Sequence, residues 1–195
     1  MGTEMLFPTF LKLGGRHVLL VGGGPVAAGK LRSLLEAGAL VRVVAPTIVL
    51  EIASAPVETL QRPFEPADLD GMSFVVAAAP AEVNRQVALA AQERGLFVNA
   101  VDDVESASAY AGAVVRRAGV TIAISTDGEA PALAGLVREA LELVFPEDLE
   151  DWMACAREAR RKWLAEGVAM ASRRPLLLNA LNELYGQRAA AGGTR

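Results

Sequence analysis

The chain has one cysteine, Cys155, and one histidine, His17, among 195 residues. A lone cysteine excludes an intramolecular disulfide, and a lone histidine excludes the His/Cys clusters of zinc-site spacing. Acid–base chemistry therefore falls to carboxylates. His17 opens a predicted strand beside a glycine turn and reads as structural rather than catalytic. Cys155 falls on the apolar face of a predicted helix and reads as core. No apolar run reaches the roughly 18 residues of a membrane span. The first residues, Met1-Gly2-Thr3-Glu4-Met5-Leu6, lack the basic stretch and apolar segment of a secretion signal, and position six lacks the hydroxyl of a myristoylation motif. The expectation is a soluble, cytoplasmic protein.

A basic excess is also missing. The net charge is −4, with 11 basic against 19 acidic side chains in residues 1–150 and 8 against 4 in residues 151–195. An acidic main body argues against nucleic acid as a partner, because DNA and RNA surfaces call for a broad basic face. The basic C-terminal part either meets a polyanionic small molecule or carries ordinary solvated charges. Hydrophobic residues make up 52% and mean hydropathy is +0.31, enough for one good core and a small accessory domain. Only the small-residue tail, 189–195, is expected to fray.

What is present is concentrated in residues 17–30. An apolar run, Val18-Leu19-Leu20-Val21, leads into Gly22-Gly23-Gly24-Pro25-Val26-Ala27-Ala28-Gly29-Lys30, the pattern of a strand, a glycine turn and a helix start. Gly22 permits a tight turn, Gly24 lets backbone approach a diphosphate, and Ala27 allows helix and strand to pack closely. Pro25 suits the first helical position, where no N–H is lost. The free amides and partial positive charge of that helix end would hold a dinucleotide diphosphate. A glycine triplet also serves simply as a turn, so its setting decides.

That setting is an alternation of strand and helix signals. Strands are predicted at 18–21, 40–45, 58–62, 74–78 and 96–101, helices at 26–37 and 82–94, and a short segment at 48–53. Continuous apolar runs such as Phe74–Ala78 fit strands covered on both faces. The fold class is α/β, a Rossmann-like doubly wound parallel sheet. Beyond Asp102 a hairpin is predicted, with strands 108–115 and 120–125 joined at 116–119. Helices follow, with apolar spacing at Leu133, Leu136, Val137, Ala140 and Val144, then at Trp152, Cys155, Ala156, Ala159 and Trp163, then at Leu177, Leu181 and Leu184. Three sections result: a dinucleotide-binding domain at 1–111, a hairpin-plus-helix section at 112–145, and a C-terminal helical domain at 146–195. The middle section is too small to bury its own apolar face, which predicts a homodimer.

Ligands of an open parallel sheet bind at the carboxyl ends of its strands. One rim therefore gathers Gly22–Gly24, Ala45-Pro46-Thr47, Ala78-Ala79-Pro80 and Asn99–Asp103. Asp102 ends the fifth strand and is the candidate base, able to accept a proton as hydride leaves a substrate; Asp102 and Asp103 also fit a plain turn. The acidic residue expected about 20 residues past the glycines is replaced by Ala45. Backbone amides or the Thr47 hydroxyl would serve the ribose instead, and with no arginine immediately following, NAD is favoured over NADP.

Several segments in order carry a family resemblance: Phe7-Pro8-Thr9-Phe10-Leu11-Lys12-Leu13, the glycine turn through Lys30, Val43-Val44-Ala45-Pro46, Asn99-x-x-Asp102, and Ser125-Thr126-Asp127-Gly128-Glu129-Ala130-Pro131. Together they resemble precorrin-2 dehydrogenase, the module found alone or as the N-terminal part of siroheme synthase. The resemblance implies an NAD-binding domain, a central dimerisation domain and a helical domain. It implies that Pro25, Val26, Pro46 and Thr47 line the NAD site and that Asp102 is the essential aspartate. The implied substrate is precorrin-2, a tetrapyrrole with eight carboxylates, oxidised to sirohydrochlorin as NAD is reduced; some relatives also insert ferrous iron into the product. Arg116, Arg117 and Arg138 are candidates for the carboxylates, since arginine forks bind them bidentately. Ser125 is a candidate pocket hydroxyl, or simply a strand end or the cap of a helix from Glu129. The chain departs from the family pattern at Ala79-Pro80, Ala109-Tyr110-Ala111-Gly112 and Ala130. A rival of another class is a non-catalytic NAD-sensing module, which needs no Asp102.

Overall fold

The structure is a computed structural model that describes residues 5–192. It divides into two compact units. Residues through Ala111 join Ser125–Ala130 in one, while Gly112–Ile124 and the chain from Pro131 onward form the other.

The first unit runs β1 (His17–Val21), α1 (Pro25–Glu36), β2 (Leu40–Val44), α2 (Leu50–Ala53), β3 (Glu58–Leu60), a 3₁₀ turn (Pro66–Leu69), β4 (Phe74–Ala77), α3 (Ala81–Gln92) and β5 (Val98–Ala100). The sheet is wholly parallel, in the order β3-β2-β1-β4-β5. Its two faces explain the continuous apolar strands. Leu19 and Val21 pack with Val75, Val87 and Val98 on the α3 side, whereas Val18 and Leu20 pack with Ala27, Leu31 and Val43 on the α1 side. Every residue from Val18 to Val21 is therefore buried. Ala27 is fully buried, as close packing of α1 on β1 requires. This is a Rossmann-like doubly wound fold, and its strand order reverses between β1 and β4. The register pairs Val21 with both Val44 and Ala77, and Ala77 with Ala100. Four strands thus end together, and their loops leave along one rim.

The second unit opens with β6 (Ala113–Arg117) and β7 (Val120–Ile124), an antiparallel hairpin turned at Ala118 and Gly119, both at positive φ. Three helices follow: α4 (Pro131–Val144), α5 (Leu149–Ala165) and α6 (Met170–Gly192). Trp152 on α5 donates its indole N–H to the Tyr185 hydroxyl on α6 at 2.7 Å, with the rings edge to face. No helix among the described residues is long and apolar enough to cross a membrane.

Several expectations change. Ser108 and Ala109 belong to no strand; both amides donate to Val98 O at 2.9 Å, so this stretch covers the open edge of β5 instead of extending the hairpin. The helix expected from Glu129 begins at Pro131, and Ser125 does not cap it: its hydroxyl accepts the Asp127 amide at 3.1 Å. Cys155 is half-buried on α5, not core. His17 is exposed at the end of β1 remote from the glycine turn. Residues 189–192 of the tail continue α6, and residues 193–195 lie outside the described residues, as do 1–4 of the N-terminal stretch.

Candidate functional site

The glycine turn occupies the reversal point, and its three glycines do different work. Gly22 sits at φ +134, where a Cβ would lie 2.2 Å from Ala78 O; at Gly23 a Cβ would lie 1.9 Å from Thr47 O. Both are required by the neighbouring strand ends. Hydrogen bonds close that arrangement: Gly22 N–H donates to Val44 O, Ala78 N–H to Val21 O, and Val49 N–H to Gly23 O. Gly24 differs, since a Cβ there meets nothing within 4 Å. Its open side is the free space before α1. That helix begins with Pro25, has no side-chain cap and carries no acid in its first turn, so the Val26 and Ala27 amides and the helix dipole face outward unneutralised. The donor set fits a diphosphate.

Beside this cradle a cavity of about 250 Å³ is lined by Val26, Ala78, Ala79, Asn84, Asp102 and Asp103, among others. Asp102 is exposed at φ +57, a left-handed conformation that aspartate tolerates better than most residues. Its carboxylate takes no partner among the described residues. Asp103 is instead half-buried and accepts the Ser106 amide at 3.1 Å. Both acids border the cavity, and they differ in their partners: Asp103 closes a turn, while the Asp102 carboxylate stays uncommitted. Ala45 is buried against Gly23, while Pro46 and Thr47 are exposed on the same rim.

Two asparagines hold the strand ends. Asn84, 2% exposed on α3, accepts the Ala79 amide at 3.0 Å and donates to Val101 O at 3.4 Å, tying the exits of β4 and β5 together beneath Asp102. Sequence reasoning missed it. Its signal was a polar residue on the buried stripe it shares with Val87, Ala90 and Ala91. Asn99 donates from Nδ2 to Ala109 O at 3.0 Å, while its buried Oδ1 has no partner.

Farther along, Arg62 clasps Asp68 bidentately at 2.9 and 2.5 Å, and Asp68 also accepts the Glu65 amide. Burial works to raise the Asp68 carboxyl, but the Arg62 hydrogen bond, the Glu65 N–H and the charges of Arg62 and Arg42 outweigh it and hold it below the ordinary 3.8. The same hydrogen bond raises Arg62.

The other candidates are more dispersed. Ser125 lies in the first unit but bonds only within its own turn. Arg116 and Arg117 are exposed on β6, adjacent and so on opposite faces of the hairpin. Arg138 on α4 is engaged by Glu139 and Glu142 at 3.1 and 2.7 Å. No group of three His, Cys, Asp or Glu among the described residues is placed to hold a metal ion.

Residues 9–113 match the family described as "Putative NAD(P)-binding". The chain is 39% identical over 190 residues to a siroheme synthase of Photorhabdus laumondii, covering 95% of this chain and 40% of that one. Against siroheme synthase 1 of Aeromonas salmonicida the identity is 40% over 191 residues, covering 95% and 41%. The chain thus spans about two fifths of the length of these relatives. Among solved structures, "SirC, precorrin-2 dehydrogenase" superposes with a TM-score of 0.73 at 28% identity, covering 89% of this chain and 88% of that one.

Proposed function

Because the chain belongs to the NAD(P)-binding family, we propose that its first unit seats NAD and that the protein oxidises precorrin-2 to sirohydrochlorin. The observation that carries this reading is the unpartnered Asp102 carboxylate on the cavity beside the open, uncapped start of α1. Siroheme synthases and a precorrin-2 dehydrogenase as relatives support the substrate.

In this reading Gly22, Gly23 and Gly24 shape the cradle, and Pro25 and Val26 begin the helix whose amides meet the diphosphate. Ala45, Pro46 and Thr47 border the adenosine side, and Ala78 and Ala79 the nicotinamide side. Arg62 is committed to Asp68 instead of a 2′-phosphate, which supports NAD over NADP; the buried Ala45 offers no carboxylate, so backbone amides or the Thr47 hydroxyl serve the ribose. Bound NAD supplies a hydride acceptor. Oxidation also removes one proton from the substrate, and Asp102 accepts it or orients the macrocycle. Arg116, Arg117 and Arg138 meet substrate carboxylates, with Ser125 as a pocket hydroxyl. Arg138 would first exchange Glu139 and Glu142 for the ligand.

The division 1–111, 112–145 and 146–195 assigns cofactor binding, dimerisation and a C-terminal helical domain. Exposed Leu133, Leu136, Leu143 and Val144 on α4 support self-association as a homodimer, and the protein acts in the cytoplasm. A second reading adds insertion of ferrous iron into sirohydrochlorin, favoured by the same free carboxylate as an acceptor for protons displaced from the macrocycle.

Anaerobic incubation with precorrin-2 and NAD is expected to form NADH, more slowly with NADP. NAD binding without any tetrapyrrole-induced absorbance change would instead favour a sensing module. Iron insertion no faster than the uncatalysed background would remove the second reading.

A further inference from the structure

Asp102 belongs to a lobe that leaves β5 and returns to its edge. At the base, Val98 O accepts the Ser108 and Ala109 amides, Val98 N–H donates to the Ser108 hydroxyl, and Asn99 holds Ala109 O. Inside the lobe, Asp103 holds the Ser106 amide and the Tyr110 hydroxyl donates to Val104 O at 3.3 Å. These bonds close the lobe on itself. A left-handed residue such as Asp102 persists where its surroundings over-determine it, and the base lies several residues away.

The tip has its own contact. Thr126–Glu129 form a tight turn, with Asp127 at φ +52, Gly128 at φ +81 and the Glu129 amide on Thr126 O at 2.9 Å. Positive φ at both central positions is the type I′ geometry that Asp-Gly favours. The Ser125 hydroxyl accepts the Asp127 amide and the Thr126 hydroxyl the Ala130 amide, so the turn is internally fixed. It lies within Ser125–Ala130, which belongs to the same compact unit as the lobe, although the chain before Ser125 and after Ala130 does not. Its backbone lies directly against the lobe: a Cβ at Gly128 would come within 2.7 Å of Val104 Cγ2 and 3.2 Å of Tyr110 Cε1. Val104 is two residues from Asp102.

We infer that Gly128 is a positioning residue: the rigid 126–129 turn is a stop against which Val104 and Tyr110 pack, and this fixes where Asp102 stands. The inference rests on the role proposed for Asp102. An added methyl at Gly128 strains its backbone at φ +81 and, in addition, pushes Val104 outward and carries Asp102 with it. Loss of the Val104 methyls lets the lobe slacken toward the turn.

The test uses Gly128→Ala, Val104→Ala, the double variant and Asp102→Asn, each with turnover, NAD affinity and amide exchange at Val101 and Ser106. Gly128→Ala is expected to lower kcat about tenfold or more, to leave NAD affinity within about twofold, and to speed exchange at Ser106. Val104 is 49% exposed, so Val104→Ala folds even if Gly128→Ala does not; it lowers kcat about threefold and speeds the same amide. The double variant is faster than Gly128→Ala, because removing the clash partner relieves the push. Wild-type turnover and exchange in Val104→Ala, a double variant as slow as Gly128→Ala, or a parallel loss of NAD affinity overturns the inference. Full turnover in Asp102→Asn removes the role of Asp102 itself, and the exchange rates then still report on the stop.

Discussion

Gly23→Ala and Gly24→Ala are adjacent, chemically identical changes with opposite expected consequences. At Gly23 the new methyl would stand 1.9 Å from Thr47 O and 2.9 Å from Ala45 Cβ. Backbone on two sides has to move, and the Val49 N–H bond to Gly23 O is strained with it. Overpacking of this kind costs about 1–3 kcal/mol, and contact with main chain places it toward the upper end. At Gly24 the methyl meets no protein atom, and φ −89, ψ −174 is extended backbone open to any L-residue. As an N-cap, alanine there costs only about 0.5 kcal/mol relative to glycine. If a diphosphate lies over Gly24, however, the methyl stands in its path, and a loss of about 1.4 kcal/mol raises the Kd for NAD about tenfold. Urea unfolding and calorimetric titration with NAD measure the two quantities on the same samples. Wild-type NAD affinity in Gly24→Ala would refute the placement of the cofactor. Wild-type stability in Gly23→Ala would refute the close approach of the strand ends.

Three further outcomes follow from the same geometry. Asp102→Asn is expected to reduce kcat by about a hundredfold or more with NAD affinity unchanged, as single-turnover NADH formation would report; an equal loss in both would point to a binding role. The depressed Asp68 carboxyl stabilises the fold fully above the ordinary value of 3.8, and this contribution disappears as pH falls through its lower folded-state value. Asp68→Asn is therefore less stable than wild type by about 1–2 kcal/mol at pH 7, a figure reduced by the partial exposure of Arg62, and urea midpoints measured down to pH 2 should converge. Asn84→Leu strands the Ala79 amide and Val101 O, at about 1–3 kcal/mol, and should lower Tm and speed exchange at Ala79; unchanged exchange would deny its bridging role.

The layered architecture was legible because buried parallel strands leave continuous apolar runs and α1 carries a small residue where it meets β1. The glycine turn was legible for a related reason, since the positive φ of Gly22 and the close approach of strand-end backbone to Gly22 and Gly23 leave room for no side chain. The hairpin's first strand was overextended because Ser108 and Ala109 look like strand residues but spend their amides on the edge of β5. Asn84, the Arg62–Asp68 clasp and the Gly128 contact escaped notice, each joining residues whose proximity depends on the fold or on a local bend that no spacing rule encodes.

Residue order alone determined the alternation of strands and helices, the place of the glycine turn and the pair of acids at the end of β5, because periodicity, glycine and chain polarity act within a few neighbours. Only the folded molecule separated those acids, giving Asp103 to the Ser106 amide and leaving the Asp102 carboxylate without a partner among the described residues. Only it divided the glycines into two that fit between strand ends and one that opens to solvent. Such distinctions depend on distances between segments far apart in the chain, and close packing sets those distances once the whole sheet has formed.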